Sequence, residues 1–456
     1  MKQENKVKSF LLKFDLERLL TFGYVSKLPQ RNLLMGYFSY IVFGLIFLMM
    51  PFSQRVPISI VDNLFNVTSA ISTTGLATVN LCTDYTYFGQ FIMLLLIQLG
   101  GIGYMTLSSY ILYRMTHHFM RIKNGVMRTS FTLPAEFNMQ ELVRDVVKFT
   151  FFIELVGAIL LWILFADKGT VLPLWNGIFI SISSFCTAGF SLFNNSLTIF
   201  DTNIGVNIVV SILSIIGAMG FIFIRDVMNK IRNIHYSITF TTKVICSISL
   251  VLTIVGTLQI FFFEPSIAHY NIGNRLMIGF FHTVAAWSTS GFNTVNLGAF
   301  NIGSLSTLSA LMFIGSSPSG TGGGVKSTTL SAVLAFVFCK LGDKRDIRIG
   351  KHRIPTYRVD SALTDIIFYG LILFIGTYIL TYTENFSFTQ ILVETTSALG
   401  TVGLTTGITA NLSDAGKIIL TILMYIGRVG VLTFGNAMLI RMSNKEKNTV
   451  NADIAI

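Results

Sequence analysis

The sequence predicts an all-α membrane protein. Four tandem units surround one pore, each a spanning helix, a short re-entrant pore helix and a second spanning helix, for eight spanning helices in all. Three observations predict this. Of 456 residues, 52% are hydrophobic and only 12% are charged, against about 25% charged in a soluble domain. Apolar runs alternate long, short, long, four times along the chain. Each short run ends in the same pattern, Thr-x-Gly-(Leu/Phe). No alternating strand signal is present, which leaves helices rather than a closed barrel.

Residues 1–34 are charge-rich and show no small-residue cleavage site, so no cleavable signal is expected. Within them, Val7 to Phe22 interleaves Phe10, Leu11, Phe14 and Leu19 with Lys13, Asp15 and Arg18. That pattern suits an amphipathic helix on the inner membrane surface and equally an ordinary solvated helix. Long runs follow near 35–52, 86–113, 146–166, 203–224, 244–263, 303–338, 362–382 and 416–440. A span needs roughly 20 apolar residues. Short runs lie between them near 57–71, 172–185, 273–287 and 387–399, in the range that is more often re-entrant than spanning. The units are then 35–114, 115–226, 227–340 and 341–441, flanked by a cytoplasmic N-terminal segment 1–34 and a cytoplasmic tail 442–456.

The four turns read Thr73-Thr74-Gly75-Leu76, Thr187-Ala188-Gly189-Phe190, Thr289-Ser290-Gly291-Phe292 and Thr401-Val402-Gly403-Leu404. A second marker follows in phase. Gly100-Gly101-Ile102-Gly103, Gly217-Ala218-Met219-Gly220 and Gly427-Arg428-Val429-Gly430 share a Gly-x-x-Gly frame, and Gly315-Ser316-Ser317-Pro318 takes its place in the third unit. One Thr-x-Gly turn is commonplace; two markers in register across four units point to a pore.

Charge sets the orientation. Most of the 33 lysines and arginines fall in the N-terminus, the loops between units and the C-terminus. The positive-inside rule makes those segments cytoplasmic and puts the turns at the outer side, in a multi-pass plasma-membrane protein. Asp62, Asp84, Asp167, Asp201, Glu264, Glu384, Glu394 and Asp414 make the outer face negative, which concentrates cations at the entrance. The net charge of +11 is therefore a topology signal and predicts no nucleic-acid partner.

A cation leaving water needs its hydration shell replaced, and backbone carbonyls do this without a full charge that would trap it. Aiming successive carbonyls at one axis takes a conformation that a Cβ hinders, which accounts for Gly75, Gly189, Gly291 and Gly403. The candidate selectivity residues are these glycines with Thr73, Thr74, Thr187, Ala188, Thr289, Ser290, Thr401 and Val402. Each pore helix would also aim the negative end of its dipole at the axis. Cys186 reads as a packing residue, and with Cys82, Cys246 and Cys339 scattered, no zinc site or disulfide scaffold is expected.

These turns, with "GSSPSGTGGGVKSTT" in the third unit and "MYIGRVGVLTFG" in the fourth, resemble the membrane subunit of the Ktr/Trk/HKT superfamily of potassium transporters. The resemblance covers about residues 30–445 and is closest to the bacterial Ktr branch, the KtrB/KtrD type of pore subunit. It implies four linked M1–P–M2 units, K+ carried through the filter carbonyls with Na+ as the competing ion, no covalent cofactor and no enzymatic activity. It also implies a homodimer in membrane lipid, seated on a cytosolic nucleotide-binding RCK ring of KtrA/KtrC type. In plant members a serine at the first filter glycine accompanies sodium preference; Gly75 stands there, which implies potassium.

"GTGGGVKST" imitates a phosphate loop but fails on spacing, since Val325 separates Gly324 from Lys326, and no βαβ context surrounds it. No G-x-G-x-x-G occurs elsewhere, so the RCK module is expected on a separate chain. The better reading of residues 315–326 is an intramembrane gate, because irregular backbone at membrane depth is tolerated where it lines a wet cavity or is buried in protein. A helix kink without a gating role is the plainer alternative. The candidate gating residues are Gly315, Ser316, Gly320, Gly322, Gly323, Gly324, Lys326 and Arg428. Lys326 and Arg428 lie within spans at about 2.5–3.5 kcal/mol each, so each needs a purpose or a partner. The resemblance puts Arg428 next to the gating loop. Glu154 and Asp365 are possible partners, with pairing inside the bundle the plainer role. Glu394 suits either a cation in the outer mouth or a pore-helix role.

Overall fold

The structure, a computed structural model, describes residues 29–103, 139–344 and 346–439. The amphipathic segment Val7 to Phe22 and the tail 442–456 lie outside the described residues. Fourteen principal helices follow one another: α1 (Pro29–Leu48), α2 (Ile60–Ile71), α3 (Tyr87–Ile102), α4 (Met139–Asp167), α5 (Pro173–Phe185), α6 (Ile204–Arg232), α7 (Phe240–Phe263), α8 (Ile272–Trp287), α9 (Ile302–Ile314), α10 (Ser327–Leu341), α11 (Thr356–Thr383), α12 (Phe388–Leu399), α13 (Asp414–Val429) and α14 (Val431–Leu439). A two-stranded hairpin, β1 (Arg348–Ile349) and β2 (His352–Arg353), joins α10 to α11. Asp346 ties its two strands, at 2.8 Å from Arg348 and 3.0 Å from Arg353.

The short helices have clear starts. Ser59, Asn271 and Ser387 cap α2, α8 and α12 with side-chain oxygens, the last within a capping box with Gln390, and Pro173 opens α5. The helices after the turns are capped alike: Thr86 accepts from Gly89 N, Asn203 from Val206 N, Asn301 from Ser304 N and Ser413 from Gly416 N.

Each short helix packs between its two neighbours in sequence. Contacts between the four groups form a closed cycle: α3 touches α5, α6 touches α8, α9 touches α12, and α13 returns to α2. α1, α4, α7 and α11 stand outermost. Their most apolar windows are only 22–33% buried, against 61% for α6, so Phe43, Phe152, Val255 and Phe374 face outward. Such exposed apolar faces suit a lipid surround.

Five described helices are long and apolar enough to cross a membrane: Gln30–Leu48, Arg144–Asp167, Ile204–Arg232, Phe240–Phe263 and Thr356–Thr383. Two of the expected long runs are not straight. The run 303–338 is split into α9 and α10 by an irregular loop, and the run 416–440 turns by 96° between α13 and α14, a bent pair that counts as a sixth span if taken together. Both interruptions fall at positive-φ glycines, Gly315 (φ 64°) and Gly430 (φ 90°), where the helical ladder cannot continue.

The cycle closes through an ion pair. Lys417 Nζ on α13 lies 2.8 Å from Asp62 Oδ1 on α2, with the side chains 11% and 19% exposed. Replacing Lys417 with Met strands a largely buried carboxylate. The expected cost is about 1.5–3 kcal/mol, read as a lower melting temperature in detergent. An unchanged melting temperature would show that the pair contributes nothing to closure.

Candidate functional site

The site begins where the four short helices end. Ser72, Cys186, Ser288 and Gly400 cap them in right-handed conformation. The next residue reverses hand in every case: Thr73, Thr187, Thr289 and Thr401 have φ of 54°, 52°, 61° and 50°. A β-branched residue at positive φ is a genuine outlier, and such strain costs about 1–3 kcal/mol unless the surroundings over-determine it. Here they do. The threonine N–H groups donate to Ala70 O, Ser184 O, Ala286 O and Ala398 O at 3.1–3.3 Å, and the next N–H groups to Ser69 O, Ser183 O, Ala285 O and Ser397 O at 2.7–3.0 Å. Gly75 N and Gly403 N then reach Ser69 Oγ (3.1 Å) and Ser397 Oγ (2.9 Å).

Because the N–H groups turn back onto their helices, the carbonyls face away from them. Among the described residues, no hydrogen bond is donated to the carbonyls of residues 73–75, 187–189, 289–291 or 401–403. The turns form a closed ring. A Cβ on Gly75 would collide with Ala188 O, one on Gly189 would lie 2.6 Å from Ser290 O, one on Gly291 would collide with Val402 O and one on Gly403 with Thr74 O. Every glycine thus touches the carbonyl before the next glycine, and the fourth touches the first. The four glycines open outward on a cavity of about 430 Å³ lined also by Asn80, Asn194, Asn293 and Thr405.

Below the ring, the loop after α9 reaches all four threonines. Thr321 O accepts from Thr73 Oγ1 (3.4 Å), and Thr321 Oγ1 lies 3.0 Å from Thr187 Oγ1. A Cβ on Gly322 would strike Thr289 Oγ1, and one on Gly323 would strike Thr401 Oγ1. Two cations hold this stretch by its carbonyls. Lys326 Nζ donates to Gly322 O (2.7 Å) and Gly323 O (3.3 Å), and lies 3.4 Å from Ser316 Oγ. Arg428 donates to Thr321 O, to Gly100 O and to Thr73 Oγ1, the last at 2.9 Å. The other side of the loop is sewn to the break in α6, where Gly220 has φ 79°. Phe221 N donates to Ser319 O (3.2 Å), Ile222 N to Ser319 Oγ (3.2 Å), and Ser317 N and Thr321 N to Ala218 O and Gly217 O (3.1 Å each).

The Gly-x-x-Gly frames have a packing explanation. The backbone at Gly100, Gly217 and Gly427 sits directly against Ile71 O, Phe185 O and Leu399 O, the last residues of three short helices, with no room for a Cβ. Gly103, Gly220 and Gly430 then break their helices at equal distances from the N-caps Thr86, Asn203 and Ser413. In the third group the break at Gly315 comes one turn sooner after Asn301, which is how the loop arrives so close beneath the ring.

Residues 37–448 match the family model TrkH, described as a cation transport protein. The chain belongs to the TrkH family. It is 35% identical over 424 residues to the Ktr system potassium uptake protein B of Bacillus subtilis, covering 92% of this chain and 95% of that protein. It is 32% identical over 410 residues to the protein of the same name in Vibrio alginolyticus, covering 88% and 90%. The potassium/sodium uptake protein NtpJ of Enterococcus hirae is 32% identical over 433 residues, covering 92% and 95%. The crystal structure of the potassium transporter TrkH from Vibrio parahaemolyticus superposes with a TM-score of 0.74 at 18% identity, over 96% of this chain and 91% of that one, a likeness of fold. As a TrkH-family chain with several apolar helices, the protein is a multi-pass membrane ion transporter and not an enzyme.

Within the TrkH-family chain, Glu154 has another partner, while Asp365 stands within electrostatic reach of Lys326 without hydrogen-bonding to it. Glu154 accepts from Gln98 Nε2 at 2.9 and 3.0 Å and lies 3.7 Å from Cys186 Sγ; among the described residues it makes no ion pair with Lys326 or Arg428. Neither cation forms a salt bridge with Asp365. The two bases are held mainly by carbonyls, through Lys326 Nζ and the terminal nitrogens of Arg428, a solution that residue types alone do not suggest. Cys186 packs under Gly101. Glu394 is buried and accepts from Thr405 Oγ1 and from Thr409 Oγ1 (3.0 Å), so it ties α12 to the chain beyond the turn. Thr321 is absent from the candidate gating residues, although it contacts two of the turn threonines and Arg428. Its signal was available: it is the β-branched residue in a run of glycines, and thus the position where a side chain is tolerated.

Proposed function

We propose that the chain is the potassium-conducting subunit of a regulated uptake system, selecting K+ with backbone carbonyls. The observation that carries this is the ring of four Thr-x-Gly turns whose carbonyls accept no hydrogen bond from the described residues while the N–H groups of each threonine and of the residue after it are turned back onto their helix. Buried carbonyls left unpaired are costly, and a dehydrated cation repays that cost. Thr73, Thr187, Thr289 and Thr401 form the inner rim, with Gly75, Gly189, Gly291 and Gly403 at the mouth. Four M1–P–M2 units with eight spans account for the helix order when α3 is counted as the second span of the first unit and α9 and α10 are taken as one interrupted span.

Residues 315–326 act as the gate, with Gly315, Ser316, Gly320, Gly322, Gly323, Gly324 and Lys326 forming the loop and Arg428 latching it. Both termini are cytoplasmic. The partners are a second copy of the chain, membrane lipid and a cytosolic RCK ring; the "Ktr system" names of two relatives support a multi-component assembly. One observation favours a second reading, sodium conduction or coupling: the Enterococcus relative is named for both ions. Purified protein in liposomes under a potassium gradient, with sodium competing and with and without the RCK ring, decides between them. Potassium flux that sodium does not support is expected; flux that requires sodium selects the second reading, and no flux of either ion removes both.

Arg428→Ala is expected to raise basal potassium flux or to free it from nucleotide control, because the substitution removes the latch on Thr321 O and a cation beneath the ring. Liposome efflux with and without the RCK ring measures this. Unchanged conductance in a merely less stable protein would make Arg428 a structural residue.

A further inference from the structure

The turns are fixed at their inner end by the backbone bonds already described. Their outer end is fixed by a second set of contacts that recurs in register. Three positions after the turn glycine, the backbone N–H of Thr78 donates to Asn66 Oδ1 at 3.2 Å. The equivalent Thr294 N donates to His282 Nε2 at 3.3 Å. In the fourth group Glu394 holds the same stretch through its neighbours, accepting from Thr405 Oγ1 and from Thr409 Oγ1 (3.0 Å). Asn66, His282 and Glu394 occupy the same place in α2, α8 and α12, one helical turn before the residue whose carbonyl holds the inner end, on the same helix face. All three are buried. The side chains differ in chemistry but share one function, a hydrogen-bond acceptor turned to the chain just beyond the glycine, met by the backbone N–H at Asn66 and His282 and by threonine hydroxyls at Glu394. His282 acts as an acceptor because its Nδ1–H is donated to Ile278 O at 2.9 Å, which leaves Nε2 with a lone pair. In the second group the two positions are Ile180 and Leu192, both buried and apolar.

We propose that Asn66, His282 and Glu394 are positioning residues for ion selection, each holding the outer end of its turn so that the carbonyl ring keeps one width. The proposal rests on reading the turns as the selectivity filter. Its physical basis is the strain in the threonines. A left-handed β-branched residue relaxes unless it is held on both sides, and without the outer anchor the strand beyond the glycine is free to move, and its carbonyls with it. None of the three touches the ion path directly; each acts through the turn it holds.

The test is the potassium-to-sodium permeability ratio in liposomes for Asn66→Leu, His282→Leu and Glu394→Leu beside His282→Gln and Glu394→Gln. Leucine removes the acceptor without leaving a cavity, and the buried Ile180 of the second group shows that an apolar residue is accommodated at this position. The leucine variants are expected to lose about tenfold in the ratio, in line with removing a group that orients a ligand, at parental amounts in the membrane. The glutamine variants, which keep an acceptor oxygen, are expected to retain the parental ratio. Gly291→Ser serves as the control. Parental ratios in the leucine variants, with a reduced ratio in Gly291→Ser, would overturn the proposal and leave the filter reading standing. A parental ratio in Gly291→Ser as well would overturn the filter reading and this inference with it. A leucine variant that does not reach the membrane would assign its position to folding and overturn the proposal there.

Discussion

Deleting Gly320 to Gly324 is expected to leave a protein that reaches the membrane and conducts potassium without nucleotide control. The deleted residues include Thr321, Gly322 and Gly323, which touch the four threonines at the inner rim and accept from Arg428 and Lys326. The volume below the ring is filled by the peptide of Thr321 to Gly323 and flanked by Lys326 and Arg428; on the proposed reading this volume is the ion path. Removing the peptide removes the steric block, and Arg428 keeps Gly100 O and Thr73 Oγ1 as partners, so the cation is not stranded. Basal flux should rise by at least about tenfold, which corresponds to lowering the barrier by about 1.4 kcal/mol. Potassium efflux from loaded liposomes, for parent and deletion, with and without the RCK ring and its nucleotides, measures it. Equal flux with intact nucleotide control in both proteins would remove the loop from gating.

Gly291→Ser should reduce potassium preference more than the same change at any other turn glycine. Gly291 has φ 70°, and its Cβ would collide with Val402 O while lying 2.9 Å from Gly403 Cα. Backbone on both sides cannot yield as a flexible side chain would, so the third and fourth turns must separate. A ring that depends on carbonyl spacing then loses discrimination, and sodium permeation rises as potassium affinity falls. A loss of roughly tenfold in the permeability ratio is expected, again about 1.4 kcal/mol. The mildest site should be Gly189, whose nearest obstacle is Ser290 O at 2.6 Å. Reversal potentials in mixed potassium and sodium give the ranking. Unchanged selectivity in Gly291→Ser would count against the filter assignment, and an effect greatest at Gly189 would count against the packing argument.

Much of this site was legible in the sequence because it depends on residues that physics makes hard to replace. Glycine at a positive φ against a neighbouring carbonyl and threonine on the inner rim are local requirements, repeated four times, so they register in a single chain. The Gly-x-x-Gly frames were visible for the same reason, although their cause, close packing of Gly100, Gly217 and Gly427 on the ends of the short helices, needed three dimensions. What did not register depends on partners distant in sequence. Glu154 pairs with Gln98, not with a base, and Lys326 and Arg428 are satisfied by carbonyls of Thr321 to Gly323. Carbonyls carry no residue identity, so composition cannot name them as partners. The outer anchors escaped notice because Asn66, His282 and Glu394 share a hydrogen-bonding role and no side-chain type. The break in the 303–338 run was legible, because "GSSPSGTGGGVKSTT" puts polar and glycine residues inside an apolar stretch, but the bend at Gly430 was hidden, because hydropathy reports apolar length and is blind to backbone direction.

The loop beneath the ring bears on why the four turns belong to one polypeptide. A single stretch, Thr321 to Gly323, meets the threonines of all four turns. Four copies of it would compete for the same volume on the axis, so an assembly of identical subunits could not carry this device. Joining the quadrants end to end frees each of them to diverge while the ring they share stays nearly fourfold. One quadrant then supplies the loop, another the arginine that holds it, and a third the broken helix on which it is stitched. Fusion thus permits a division of labour that exact symmetry forbids.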